Sequence, residues 1–471
     1  MLFDLANADL FNVVRRDGDL RVRGGYGSVN TPYVNNKYVY GFSVESPFTE
    51  EVWHYTFTRN VDSGLLICRV FNWQFVRMYE LPIGYAPPDI VITHAITNNQ
   101  ILVNSPDFSA PLYGSVGGGL ILAVKTESIN PDTTALEIPT GHVASFGDRM
   151  VIAQNNILFF NDPGVDPRTF VAQNTIAIPS GGDIYDLFQG DDGALYVFTS
   201  KGTFYVPQDA LGRGQLVEGF LGMVPGIETT YERNAASSCG VVVAIQKDGL
   251  VTVGRGGAAI PLTVTKAGQR AFPVIRSEDH RATSRVYAGP EGFFLAMGDD
   301  NGTVFEFNVR NGYRAFHSVE NVKMNLVGVL RDRDGAHMLM LEDRVLGPTL
   351  REHDWNNQSV SGGAVVEVDV PEGVTVKARR VTVSTEATDA TVYSESGSAS
   401  RLTPVQGITI GISLWDAGKL FTRRPKTTRH GISLRTTHLT LEVKVSGGDK
   451  RIERNIEIDF LGQGRKRGDR R

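Results

Sequence analysis

Cysteine is almost missing from this chain of 471 residues: there are two, Cys68 and Cys239, far apart and without a CxxC pair. That argues against a disulfide framework and against a cysteine zinc site, and it fits two reduced, buried thiols in a protein assembled in a cytosol. Long apolar runs are missing too. No stretch approaches the ~18 apolar residues that a membrane-spanning helix needs, so no membrane partner is expected. The opening Met1-Leu2-Phe3-Asp4 has neither the basic nor the apolar segment of a secretory signal. HExxH, GxSxG and Walker loops are absent, and the nine histidines are scattered with none at metal-ligand spacing. No Leu/Ala/Glu/Lys block suggests a helical bundle.

What is abundant is glycine, 51 residues, together with Val, Thr, Phe and Tyr. This composition fits many short strands joined by tight turns. A turn rich in Gly, Asp or Asn recurs at Asn98-Asn99, Gly147-Asp148, Asp191-Asp192-Gly193, Asp248-Gly249, Glu291-Gly292 and Asp334-Gly335. Counted from Asn99 through the glycines, the intervals are 48, 46, 56, 43 and 43 residues. A four-stranded propeller blade takes roughly 40–50 residues. Each interval also repeats inside. An apolar strand leads into the turn (184–188, 241–245, 285–288, 326–330) and a second follows it (195–199, 250–253, 293–297, 337–341). A further turn comes next, as at Asn155-Asn156, Lys201-Gly202 and Asn301-Gly302, and then a third strand. Asx-Gly pairs suit two-residue hairpins because both central positions need positive φ.

The expected fold is therefore all-β: a β-propeller of about six blades over residues 38–358. Its competitor is a pair of stacked sandwiches, since stacking blades around an axis is one way for isolated meanders to bury both faces. Residues 38–81 are strand-like and could complete a blade. Residues 1–37 read as an N-terminal arm. A polar Asn/Ser/Gly stretch at 356–363 marks a boundary. Beyond it, 374–383, 407–414, 433–445 and 451–460 alternate apolar and polar with the period of half-buried strands. This predicts a C-terminal β-sandwich or platform domain over 359–463, followed by a basic tail, 464–471, that is disordered until bound.

Charge is unevenly spread. Residues 371–471 hold 19 Lys/Arg against 11 Asp/Glu, a net of +8, so the rest of the chain carries −13 within the overall −5. Such a split suggests regions facing different partners, or each other in an assembly. Two basic clusters stand out as candidate contacts with a partner or with DNA. Arg423, Arg424, Lys426 and Arg429 lie on an expected loop, and Arg465, Lys466, Arg467, Arg470 and Arg471 lie in the tail. Lysine and arginine bind phosphates without reading sequence, but no aromatic residues interleave with these clusters as base-stacking would require. A protein interface is therefore the favoured reading over DNA.

Candidate chemistry is sparse. Asp191-Asp192, Asp299-Asp300 and the pair Asp332/Asp334 have the composition of acid/base pairs, yet all sit in or beside the repeating turns, where Asp is favoured by local hydrogen bonding. Asp332-Arg333-Asp334-Gly335 has part of a calcium-loop spacing without the distal Glu. Gly212-Arg213-Gly214 and Gly254-Arg255-Gly256-Gly257 read as hairpin turns rather than phosphate cradles. Trp53, Trp73, Trp355 and Trp415 read as core or interface residues. No catalytic residue, cofactor or metal is expected.

One segment near the N-terminus, Asp17-Gly18-Asp19-Leu20-Arg21-Val22-Arg23-Gly24-Gly25-Tyr26, resembles the opening of tail nozzle proteins of short-tailed phages. Those proteins, also described as tail hub or packaged-DNA stabilisation proteins, have a Gly-x-Leu segment leading into Arg-Pro-Gly; here Gly24 stands where proline is usual. The run from His142 to Ala153, followed by Asn156 to Gly164, resembles that family's strand–turn–strand, and Asp183 to Val206 continues it. The resemblance implies a structural virion protein of the phage tail rather than an enzyme. Six copies would form a homo-oligomeric ring below the portal and adaptor, assembled in the host cytoplasm. Such a ring extends the DNA channel, retains the packaged genome and anchors a tail fibre or needle. The partners implied are the adaptor protein, the fibre or tip protein, and DNA passing through without sequence specificity. A glycosidase or lyase on a propeller, and a propeller interaction scaffold, are the alternatives.

Overall fold

A computed structural model describes most of residues 26–208, shorter stretches of 2–22 and 211–348, and backbone strands between 361 and 465. Residues 349–360, 403–425, 466–471 and several short turns and loops lie outside the described set. Every named element is a strand. Among the described residues, no helix is long and apolar enough to cross a membrane. The chain divides into two compact units. One joins Gly27–Gly302 to Glu320–Gly347; the other joins Met1–Tyr26, Thr303–Val319 and Pro348–Arg471.

The first unit is a succession of antiparallel meanders. Residues 36–85 form the first, with strands Asn36–Glu45, Val52–Asn60, Leu65–Asn72 and Arg77–Tyr85 in that order. Thr93–Thr97, Gln100–Asn104, Leu112–Ser115 and Ile121–Leu122 form the second. His142–Phe146, Arg149–Gln154, Ile157–Asn161 and Phe170–Ala177 form the third. A fourth runs from Ile184–Gln189 to Gly222–Val224, and a fifth from Ala235–Ser238 to Ala258–Pro261. The hairpin turns behave as their residues require. Asn98 and Asn99 sit at φ 51° and 63°, Gly147 at 62° and Asn155 at 55°, the left-handed conformation that Asn and Gly tolerate best.

The way these meanders bury their faces decides the architecture. In the strand Leu195–Thr199, Leu195 and Val197 pack with Phe146, Val151 and Leu158 of the third meander. Tyr196 and Phe198 pack on the other side with Ala235, Val242 and Ala244 of the fifth. Alternate residues of a strand point to opposite faces, so this strand is buried on both sides by successive neighbours. Met150 and Ile152 likewise join Ala95 and Leu102 of the second meander, and Ile101 and Val103 join Tyr55, Phe57 and Leu66 of the first. The series returns to its start. Tyr38 of the first meander shares a core with Val327, Leu330, Met338 and Met340 of the last, whose strands are Leu326–Arg331, His337–Leu341 and Val345–Pro348. A closed circuit of face-to-face sheets is a β-propeller, and stacked sandwiches would not produce it.

Closure uses both ends of the circuit. The inner strands Asn36–Glu45 and Leu326–Arg331 run parallel and meet at Gly41 and Gly328. A Cβ added to Gly328 would lie 2.5 Å from the Gly41 carbonyl oxygen, so this backbone approach depends on glycine. Tyr38 N–H donates to the Glu342 carbonyl (2.7 Å), and Arg331 N–H donates to Ser43 Oγ (2.9 Å). On the outside, Tyr26–Asn30 pairs beside Val345–Pro348 and completes the last meander.

The second unit holds two sheets. In one, the order is Leu2–Asp4, Asn455–Arg465, Val374–Thr385, Arg451–Ile452, Asp19–Val22 and Val13–Arg16, with Lys426–Thr436 also paired to Val374–Thr385. The other contains Arg314–Ser318, Asp9–Phe11, Ser361–Val368, Leu439–Ser446, Asp389–Ser394 and Ala399–Leu402 in that order, with Thr303–Asn308 before Arg314–Ser318. The expected C-terminal β-domain thus includes chain segments from outside residues 359–463. The expected N-terminal arm is divided: its first strands belong to these sheets, and Tyr26–Asn30 belongs to the propeller. The strand expected at 433–445 is two strands, ending at Thr436 and resuming at Leu439. The strand expected at 407–414 lies outside the described residues.

Candidate functional site

The inner strands of the propeller surround a cavity of about 520 Å³. Residues from Asn36–Glu45, Thr93–Thr97, His142–Phe146, Ile184–Gln189, Ala235–Ser238, Arg285–Ala288 and Leu326–Arg331 line it. Convergence of successive inner strands on one axis follows directly from propeller geometry, and such concave, largely apolar spaces are where ligands bind when a fold of this kind binds one.

The polar part of the wall centres on the first two meanders. Tyr40 Oη and His94 Nδ1 share a hydrogen bond of 2.7 Å. The His94 ring stacks on Phe42 with centroids 3.7 Å apart and planes within 6°, and Phe42 stacks in turn on Tyr55. His94 is half-buried. Its surroundings penalise a charged ring and push its pKa down to about 4, so the imidazole is neutral at pH 7. Behind the wall, fully buried His54 shares a 2.9 Å hydrogen bond with Ser43 and is likewise pushed down to about 4 by burial.

The charged groups of the wall are few. Arg331 Nη1 pairs with Glu45 Oε2 at 3.0 Å, with both side chains substantially exposed. Such a pair contributes at most about 1 kcal/mol. Asp186 lines the cavity and is 4% exposed. The other hydroxyls serve the sheets themselves. Thr93 Oγ1 accepts from Val143 N–H (2.8 Å), Ser145 Oγ donates to the Ile96 carbonyl (2.9 Å), and Tyr287 Oη donates to the Leu326 carbonyl (2.8 Å). Chemically, the space offers a neutral imidazole, a phenol, a buried carboxyl group and one paired guanidinium. Among the described residues, no group of three or more His, Cys, Asp or Glu is placed to hold a metal ion.

The residues singled out in the sequence lie elsewhere. Asp191, Asp192, Asp299, Asp300, Asp332 and Asp334 fall outside the described residues, as do Arg423, Arg424, Lys466, Arg467, Arg470 and Arg471. Lys426 and Arg429 are on the strand Lys426–Thr436 rather than a loop, where they pair in register with Thr385 and Thr382. Pro425 immediately before the strand explains the misreading, because proline marks loops but also stands at strand entrances. Arg465 is not in a free tail either; it ends the strand Asn455–Arg465 opposite Val374. Cys68 is a buried free thiol, and burial pushes its pKa up. Trp53 packs against the first core cluster. Trp73 is 36% exposed, with the Arg333 guanidinium 5.3 Å above its ring. Tyr40, His94, Asp186 and Arg331 escaped notice in the sequence, since they are single polar residues in ordinary apolar strands. The one available signal was a polar residue inside a strand expected to be buried on both faces.

No family model matches the chain, and no curated protein matches it. Solved structures resemble it at low identity. A streptogramin B lyase is 12% identical, with 69% of this chain and 97% of that one covered and a TM-score of 0.43. The WD40 repeats of RRP9 are 9% identical, with 69% and 99% covered and a TM-score of 0.41. The U3-55K structure is 11% identical, with 68% and 100% covered and a TM-score of 0.37.

Proposed function

We propose that this protein is a structural subunit of a short-tailed phage tail, a nozzle or hub component that assembles in several copies around the DNA channel and catalyses no reaction. The observation that carries the reading is the segregation of charge between the two units. The propeller unit, Gly27–Gly302 with Glu320–Gly347, holds 21 Lys/Arg and 32 Asp/Glu, a net of −11; the other unit holds 26 and 20, a net of +6. Opposite net charges on two compact bodies of one chain favour heterologous contacts between copies, the kind that close a ring. An acidic body also suits a conduit through which a polyanion slides without sticking. Electron microscopy of the purified protein, with mass spectrometry of purified virions, tests the reading. Ring-shaped particles and presence in the virion are expected; a strictly monomeric protein absent from virions overturns it.

One observation favours a different reading, a propeller glycosidase or lyase. Asp186 is a buried carboxyl group on the cavity wall that also carries the Tyr40–His94 pair. That reading requires a measurable activity on polysaccharide that Asp186→Asn and His94→Ala abolish.

A further inference from the structure

The propeller cavity is graded from mouth to interior. Glu45 and Arg331 are the last residues of Asn36–Glu45 and Leu326–Arg331, and their side chains are 49% and 37% exposed. Their 3.0 Å pair therefore stands at the mouth. His94 and Asp186 lie three residues before the ends of Thr93–Thr97 and Ile184–Gln189. They line the same space at a deeper level, the first half-buried and the second buried. Ala235, Ala236 and Val286 add small apolar side chains to the wall.

Charge is the first constraint on what this space accepts. Among the described residues, Arg331 is the one guanidinium or ammonium group of the wall, and Glu45 already neutralises it. An anion would meet no free cation there and would give up its water for a carboxyl-bearing wall. A cation is disfavoured too. Asp186 is already engaged within the protein, and burial keeps the neighbouring His94 ring neutral, its pKa pushed down to about 4.

Hydrogen-bonding capacity is the second constraint. His94 spends Nδ1 on Tyr40, and among the described residues Nε2 has no partner. Thr93 Oγ1 accepts from Val143 N–H, so its own proton remains to be donated. The Glu45–Arg331 pair presents an acceptor beside donors. An apolar occupant would strip water from these groups and put nothing in its place. A hydroxyl both donates and accepts, so it satisfies His94 in either tautomer.

We infer that this cavity is a binding site for an uncharged, hydroxyl-rich small molecule of sugar size. Its volume of about 520 Å³ lies within the ~300–1,000 Å³ range of small-molecule pockets. One hydroxyl meets His94 Nε2 and Thr93 Oγ1 in the interior. Another bridges Glu45 and Arg331 at the mouth, and the ligand's C–H face lies against Ala235, Ala236 and Val286. The inference needs neither a ring of copies nor turnover, so it is independent of both readings above.

Isothermal titration calorimetry and saturation-transfer NMR on the full chain test it. D-glucose, maltose and N-acetyl-D-glucosamine serve as neutral probes, and D-glucosamine and glucose 6-phosphate as charged ones. At least one neutral probe is expected to bind with a Kd below about 10 mM, and the charged probes about tenfold more weakly or not at all. His94→Phe keeps a ring against Phe42 but removes both nitrogens, and should weaken binding about tenfold. Glu45→Ala combined with Arg331→Ala, at exposed positions, should weaken it similarly with little change in thermal midpoint, which covers the case of a His94→Phe protein that does not fold. Absence of binding by every neutral probe overturns the inference. So does a charged probe that binds as tightly as the neutral ones, or an unchanged affinity in the double variant.

Discussion

Tyr55 shows how much one hydroxyl can organise. It is fully buried; its Oη lies within 3.2 Å of the Ser115 and Gly118 carbonyls and accepts from Gly117 N–H at 3.1 Å. Gly117 sits at φ 78°, with the Trp53 indole where a Cβ would go, so this turn of the second meander is shaped around residues of the first. Tyr55→Phe removes these part-buried hydrogen bonds and is expected to cost roughly 0.5–1.5 kcal/mol, read as a lower denaturant midpoint with an unchanged slope. The buried histidines make a second prediction at this scale. His54 titrates near 6.5 when unfolded and near 4 when folded. Between those values only the unfolded chain takes up the proton, so stability is full above about pH 6.5 and declines as pH falls toward 4, by roughly 3 kcal/mol for this group. His94 acts in the same direction. Glu80, held low chiefly by its hydrogen bond to Arg69, and Asp166, held low chiefly by Arg168, lose their contributions at still lower pH. His54→Gln is expected to flatten the dependence of thermal midpoint on pH between 6.5 and 4. An equally steep profile in the variant would count against this account.

At the scale of elements, the closure seam is the vulnerable place. Gly328→Ala drives a Cβ into the backbone oxygen of Gly41, whereas Gly41→Ala meets the flexible end of Met340 first, at 2.6 Å. The first substitution is expected to cost more than the second, on the order of 2–3 kcal/mol, with faster proteolysis near the seam. Equal stabilities for the two variants would contradict this. Elements also show what could be read from residues alone. The hairpins of the propeller were legible because Asn98-Asn99, Gly147-Asp148 and Asn155-Asn156 are residues that adopt positive φ readily. The break between Thr436 and Leu439 was not legible. Thr437 and His438 connect two strands that register differently, Lys377 opposite Arg435 in one sheet and Val366 opposite Leu441 in the other, and neither residue is a turn former. The wall of the cavity was hidden for another reason. Tyr40, His94, Asp186 and Arg331 come from strands far apart in the chain, and only ring closure brings them together.

At the scale of the whole molecule, the division into units does not follow the order of the chain. The three-residue strand Asp9–Phe11 lies between Arg314–Ser318, to which it is parallel, and Ser361–Val368, to which it is antiparallel. Leu10 and Val13 are buried. Removing residues 1–22 therefore opens two sheets of the second unit while leaving the propeller's own meanders complete. Calorimetry of the truncated protein is expected to lose one transition and keep the other; two unchanged transitions would show that these short strands are dispensable. This arrangement was not visible beforehand because strands of three or four residues carry too little periodicity to announce a partner.

The pairing of Leu2–Asp4 with Asn455–Arg465 also sets a clock. Asp4 and its partner Asn455 lie 451 residues apart in the chain, so at about 5–20 residues per second the earlier strand waits on the order of 20–90 s for the later one. The propeller's first meanders can pack during that interval, but the sheet that Leu2–Asp4 joins stays incomplete until Asn455–Arg465 has been made.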